Sequence, residues 1–305
     1  MNLTHLRLDS VLGPVAGAHF ERDLEQIRER VLEDKLPPQN GFTLIPQNGE
    51  ADPAFNTYTH RMAEFIGLAK VISDYADDLP MVDVTGREYT YKIKTFGCAY
   101  QYSRKEMMQA SRGLNISEKK PRAARRAIEQ KFNQIMWYGD PSSGLFGLLN
   151  FPYIPRYVVT VAFNGTANPE DILAEMNAII NAPGQLTDTV AEPNFVGLAP
   201  EDYDYVKSTP LGSGSDTTIL QHFLNTNPGV QVESVRELRA AGPSGGNVIT
   251  VYRRTEDSVC HKLAEPFTQL EPQRRNMAVV TNCVASSGGV VSDYPLEMVI
   301  AEMPA

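Results

Sequence analysis

Apolar residues recur at three- and four-residue spacing in some stretches and alternate in others, and these two periods divide the chain into elements. Phe20, Leu24, Ile27 and Val31 mark one side of a predicted helix over 19–36, which Pro37 and Pro38 stop. Residues 39–56 are rich in Gly, Asn, Pro and Gln, with only short apolar pairs, so this segment buries little by itself. Met62, Phe65, Ile66, Ala69 and Ile72 predict a second helix over 57–75. The period then falls to two. Val82 and Val84 lead into a Thr85-Gly86 turn, after which Tyr89, Tyr91 and Ile93 alternate with Thr90, Lys92 and Lys94. That pattern predicts a two-stranded hairpin with one apolar face, a unit that is marginal in water unless it packs on something.

Ser103, with Glu106 three residues on, writes the capping box of a helix start. The helical pattern breaks at 113–115 and resumes after Ser117, with Pro121 in the first turn. Ala124, Ile128, Phe132 and Ile135 form the apolar stripe of this long helix, and Arg122, Arg125, Arg126 and Lys131 its wet side. Gly139 closes it after Trp137-Tyr138. Further on, 157–163 reads as β, and Asn168-Pro169-Glu170-Asp171 opens a helix striped by Ile172, Met176, Ile179 and Ile180. Short helices are predicted at 200–207 and 216–224, and strands at 230–235, 248–254, 277–284 and 296–301. Helices and strands mixed without regular alternation predict an α+β architecture.

Charge and cysteine content narrow the classes. The 305 residues carry 28 Lys and Arg against 37 Asp and Glu, a formal net charge of −9, which argues against a general polyanion binder. The basic run from Lys119 to Arg126 reads as a solvated helix face. Three cysteines, Cys98, Cys260 and Cys283, with no CxxC pair, form no disulfide framework and suit a reducing compartment. Residues 1–10 hold Arg7 and Asp9 among leucines, and no apolar run reaches the length of a membrane span, so a soluble intracellular product is expected.

Candidate chemistry is sparse. Gly242-Pro243-Ser244-Gly245-Gly246 matches the G-x-S-x-G nucleophile elbow, but that chemistry needs a strand before the serine and a helix after it, and here Val248-Ile249-Thr250-Val251 follows. Gly212-Ser213-Gly214-Ser215 lacks both the third glycine of a dinucleotide fingerprint and the Gly-Lys-Ser/Thr ending of a phosphate loop. The five histidines show no His-x-x-x-His spacing, and Asp202 and Asp204 read as acids in a first helical turn. No cofactor and no metal are expected.

The most informative residues surround the end of the long helix: Glu129, Asn133, Gly139, and then Gly144-Leu145-Phe146-Gly147-Leu148-Leu149-Asn150-Phe151-Pro152. This stretch resembles the segment of tailed-phage major capsid proteins of the Hong Kong 97-like fold where the spine helix ends. In that family an acid on the helix precedes a glycine, and a Gly-Leu-Leu-Asn-x-Pro stretch leads into the sheet. Gly288-Gly289-Val290 through Tyr294-Pro295 resembles the carboxyl end of phage structural proteins of the same fold.

The resemblance implies an N-terminal arm over 1–56, an extended-loop region over 57–102 and a peripheral domain with the spine helix over 103–155. An axial domain over 156–285 and returning strands over 286–305 complete it. It implies that Phe20, Leu24, Tyr89, Tyr91 and Ile93 contact neighbouring subunits. Glu129, Gly139, Gly144, Gly147, Leu148, Asn150 and Pro152 would form the exit of the spine helix. The expected role is a non-enzymatic subunit, made in the bacterial host cytoplasm, that assembles as hexamers and pentamers into the icosahedral head of a virion. Its expected partners are other copies of itself, separate scaffolding and portal proteins, and double-stranded DNA held without sequence-specific contacts; no membrane is expected. Two readings stay open beside it: an encapsulin-like nanocompartment shell, and a soluble α+β hydrolase using Ser244.

Overall fold

The computed structural model describes residues 37–71, 81–112, 119–212 and 216–304. The predicted helix at 19–36, with Phe20 and Leu24, lies outside them. From Gln39 onward the chain forms one unit built on two sheets and a ribbon.

The ribbon pairs β2 (Thr57–Ile66) antiparallel with β3 (Asp83–Lys92) in unbroken register from Thr57↔Lys92 to Ile66↔Asp83. This corrects two expectations. Residues 57–66 are strand, not helix: Thr57-Tyr58-Thr59 favours an extended chain, and Tyr58, His60 and Met62 share one face with Tyr89 and Tyr91. The helical spacing of Met62, Phe65 and Ile66 was coincidence in a strand whose outer half carries apolar and charged residues on both faces. The turn is not at Thr85-Gly86 either; Gly86 sits in mid-strand opposite Ala63. Cross-strand pairs tie the ribbon together: Thr59 and Thr90 hydroxyls at 2.9 Å, and Arg61 with Glu88 at 2.8 Å.

Ile93 alone separates β3 from β4 (Lys94–Ser103), which enters the first sheet. There β4 lies antiparallel along one edge of the long strand β11 (Ala278–Val291), while β9 (Cys260–Gln269) and then β10 (Gln273–Arg275) run along the other. A short β1 (Gln47–Asn48), following a single helical turn α1 (Gly41–Leu44), pairs parallel with β9. The capping box opens α2 (Arg104–Ser111), with Glu106 N donating to Ser103 Oγ and Ser103 N to Glu106 Oε2. The spine helix α3 (Lys119–Tyr138) then lays Ala124, Ile128, Phe132 and Met136 into the core that includes Cys283, Ala285 and Val290 of β11.

The second sheet has the order β5-β12-β8-β6-β7, from Arg156–Val158, Val299–Glu302, Val248–Tyr252, Phe195–Leu198 and Gln231–Ser234. All five residues of β8 are buried because both its faces are covered. Ile249 and Val251 join the core under α4 (Pro169–Leu186), α5 (Pro200–Ser208) and α6 (Ile219–Thr226). Val248 and Tyr252 join the core that holds Trp137 of α3. The sequence pattern missed β1, β4, β6, β9 and β10. It ended β11 at 284, seven residues short, and capped α6 at Asp216 instead of Thr218. The first sheet is completed by strands within 260–291, among them Ser286–Val291 of the expected 286–305, and Val299–Glu302 belongs to the second sheet.

Candidate inter-subunit surface

The exit of the spine helix is built from contacts only glycine permits. Gly139 sits at φ +68°, and Gly139 N still donates to Ile135 O at 2.9 Å, closing the helix. The chain then makes a tight loop in which Asp140 and Leu145 exchange backbone hydrogen bonds. Ser142 and Ser143 hydroxyls on the Asp140 carboxylate, with Lys131 behind them, hold it down to about 2. Gly147 returns against the helix end so closely that a Cβ there would lie 2.3 Å from Gly139 N and 2.6 Å from Ile135 O. Asn150 Oδ1 accepts from Gly147 N at 2.6 Å, and Leu148 is buried. Phe146 O in turn accepts from Val290 N at 2.7 Å, at the point where Gly289 (φ +75°) bulges β11. Gly144 comes close to Lys92 at the end of β3, so the loop also touches the ribbon's root. The structure thus brings Gly139, Gly144, Gly147, Leu148 and Asn150 into one knot. Glu129 stands apart, paired with Arg125 one turn back at 2.8 Å, and Pro152 follows the knot in the turn before Tyr153.

A second anchor lies beneath the helix. Asn133 Oδ1 accepts from Gly41 N at 2.8 Å, and Asn133 Nδ2 donates to Glu237 Oε1 at 2.9 Å, fixing α1 and the 236–238 turn to α3. Beside β9, Glu50 accepts from Lys262 Nζ at 2.9 Å and from Tyr58 OH at 3.0 Å. The Lys262 bond and then the Tyr58 bond draw the Glu50 carboxyl down. Burial pulls the Lys262 ammonium down, but its bond to Glu50 and nearby acidic groups outweigh that and leave it raised.

The ribbon has two unlike ends. At its root His60 stacks on Tyr89 and Tyr91 at 5.3 and 5.7 Å, and Tyr91 packs on Phe146 and Phe151. Tyr91 and Ile93 are buried in their own chain, and burial raises the Tyr91 hydroxyl to about 12. These two residues, expected to face a neighbour, are therefore core residues; Tyr89 is half-buried against the same core. The ribbon's outer end carries the exposed apolar surface: Phe65, Leu68 and Met81 are 82, 82 and 95% exposed, with Ile66, Val71, Val82 and Val84 beside them. The sequence pattern placed Phe65 and Ile66 on a helix and Val82 and Val84 on a strand, so it did not bring them to one end of a ribbon. A groove of about 820 Å³ at the root, walled by Tyr89, Tyr153, Val190, Tyr294 and Leu296, adds a second apolar surface.

Other candidates take ordinary places. Ser244 lies on an exposed loop closed by Gly242 N to Gly246 O at 3.0 Å, and the chain leaves it into β8, so no strand–serine–helix elbow exists there. Among the described residues no group of three or more His, Cys, Asp or Glu could hold a metal, and no helix is long and apolar enough to cross a membrane. In the basic run, Lys120 is engaged by Glu106 and Gln101 O and lies over the Tyr102 ring.

A family model for the major capsid protein matches residues 67–302. The chain belongs to that family. No curated protein matches its sequence. Among solved structures, this capsid protein is similar to the capsid of Myoviridae phage XM1, at 14% identity and a TM-score of 0.82, over 95% of this chain and 100% of that one. It is similar to a chain of Mycobacterium phage Bobi at 13% identity and 0.64, over 92% and 95%. A virus-like particle from Pyrococcus furiosus matches at 12% and 0.54, over 85% and 91%. The capsid protein thus has the Hong Kong 97-like fold, with the ribbon as its extended loop and α3 as its spine helix.

Proposed function

We propose that this structural capsid subunit builds the icosahedral head of a tailed phage by laying its ribbon across a neighbouring copy, in hexamers and pentamers that enclose double-stranded DNA. The observation that carries this reading is the apolar outer end of the ribbon, where Phe65, Leu68 and Met81 stand in water. A two-stranded ribbon cannot bury such side chains itself, and a contiguous exposed patch of this kind marks a contact surface. Permanent interfaces of this type bury roughly 2,000–5,000 Å², so a shell sums many such contacts without any catalytic residue. The net charge of −9 suits a wall that DNA passes without adhering.

In this reading the peripheral domain comprises about 94–155 with 260–291, and the axial domain the remainder after 155. Of the arm expected over 1–56, residues 41–48 pack on their own chain, so the arm in this proposal lies ahead of Gly41; separate scaffolding and portal partners belong to the same proposal. The likeness to a virus-like particle favours a protein-filled compartment as the second reading; nuclease-resistant DNA in purified particles decides for the head, and a packaged protein decides for the compartment.

The assembly claim is tested by Phe65→Asp combined with Leu68→Asp. The variant is expected to melt as the parent subunit does, yet to give no shells, rings or tubes in negative-stain micrographs. Particles forming at the parent's concentration would refute the role of the ribbon end.

A further inference from the structure

Cys98 of β4 and Cys283 of β11 are direct partners in register. Side chains opposite one another in an antiparallel pair leave the sheet on the same face, and here that face lies under α3, where Cys98 Sγ is 3.5 Å from Ala124 O. Cys283 is fully buried and Cys98 half-buried; both are free thiols. The Cys283 thiol is held above its ordinary range by burial first, and then by Cys98 at its side. The third cysteine, Cys260, is opposite Val291 in β9 and outside this pair. Arg104 N donates to Met277 O at 2.9 Å, and counting in twos along the register makes Cys98 and Cys283 a hydrogen-bonded pair as well. Such pairs hold their Cα atoms about 5.5 Å apart, inside the roughly 4.4–6.8 Å span that a disulfide bridges.

We propose that Cys98 and Cys283 form a reversible cross-strand disulfide when the protein meets a small-molecule disulfide of the oxidised-glutathione class. The Cys98 thiol, the one with solvent access, gives up its proton, and its thiolate attacks one sulfur of the oxidant. That expels one thiolate and leaves a mixed disulfide on Cys98. The Cys283 thiolate then attacks the Cys98 sulfur and expels the second. The two cysteine protons end on the two released thiols; the cysteines lose two electrons and the oxidant gains them.

The hydrogen-bonded register keeps the Cβ atoms farther apart than the relaxed disulfide distance of about 3.8 Å, so the bond carries strain and is readily reduced. It therefore stays open in a reducing cytoplasm and closes in oxidising surroundings. Because β4 continues the ribbon after Ile93 alone, the link would fasten the ribbon-bearing strand to the centre of the first sheet.

The test treats the purified full chain, natively folded, with oxidised glutathione, then counts free thiols and maps peptides by mass spectrometry. The expected result is a fall from three free thiols to one. A Cys98–Cys283 peptide that dithiothreitol separates should appear, together with a higher melting temperature for the oxidised chain. Cys260→Ser should still form the link, and Cys283→Ser should lose both the link and the melting shift. Three thiols persisting, glutathione retained on Cys98, or chains joined to one another on a non-reducing gel would each overturn the proposal. If Cys283→Ser fails to fold, the peptide map of the unaltered chain decides alone. The outcome is independent of whether shells assemble.

Discussion

Replacing Gly147 by alanine tests whether the helix exit is held by the close approach of two backbones. Gly147 has φ −115°, which alanine adopts freely, so torsional strain plays no part. Its Cβ, however, would lie 2.3 Å from Gly139 N and 2.6 Å from Ile135 O, pressed against both the donor and the acceptor of the helix's last hydrogen bond. Neither atom belongs to a flexible side chain, so the loop must retreat. Retreat exposes or orphans the Gly139 N–Ile135 O bond and the Gly147 N–Asn150 Oδ1 bond at 2.6 Å. At about 1–3 kcal/mol for a buried group left without a partner, plus about 1–3 kcal/mol of overpacking, the loss comes to roughly 2–6 kcal/mol. For a chain of this length that lowers the melting temperature by about 3–9 °C. Far-ultraviolet circular dichroism melts of the unassembled subunit read it directly. Gly165→Ala, where nothing lies within 4 Å, is the control and should melt like the parent. Equal melting of the two variants would refute the account of the exit as a glycine-only contact.

Asn133→Leu fits the volume but leaves Gly41 N without its acceptor and takes from Glu237 Oε1 one of its two donors, the other being Arg236 at 2.8 Å, so urea denaturation should show a loss of about 2–4 kcal/mol. Burial lowers His261 from 6.5 to about 4, so the unfolded chain binds the proton more tightly. Its contribution is complete above pH 6.5 and declines as pH falls towards 4, by about 3 kcal/mol in all, and a His261→Gln variant should show a flatter acid limb. Asp202 runs the other way: burial raises it to about 6, against the lowering effect of its bond from Asn247, so it weakens the fold as pH rises from 3.8 to 6. Asp202→Asn, able to keep that bond, should stabilise the subunit at pH 7 by about 2 kcal/mol in the same denaturation assay, with no gain at pH 3.

The local signals that could be read were those written in a few adjacent residues. The capping box at Ser103, the stripe of α3, its Gly139 stop and the Asn168-Pro169 start all depend on neighbours three or four positions away, and all stand where the pattern put them. The motif from Gly144 to Asn150 was legible as a motif, though not as a knot, because its partners Ile135, Lys92 and Val290 come from three other elements. The ribbon misled for the opposite reason. Among the described residues nothing covers its outer half, so the alternation that normally marks a half-buried strand is missing there.

By itself the sequence determined an α+β chain with a long amphipathic helix closed by glycine, because capping, periodicity and the left-handed turn are properties of short segments. Only the tertiary structure decided which of the ribbon's apolar residues are core and which face outward. Tyr91 and Phe65 read alike along the chain, but Phe146 and Phe151 cover one while solvent covers the other. Burial is set by what distant segments bring to a residue, and on the proposed reading a neighbouring copy brings to Phe65 the cover that Phe146 and Phe151 give Tyr91.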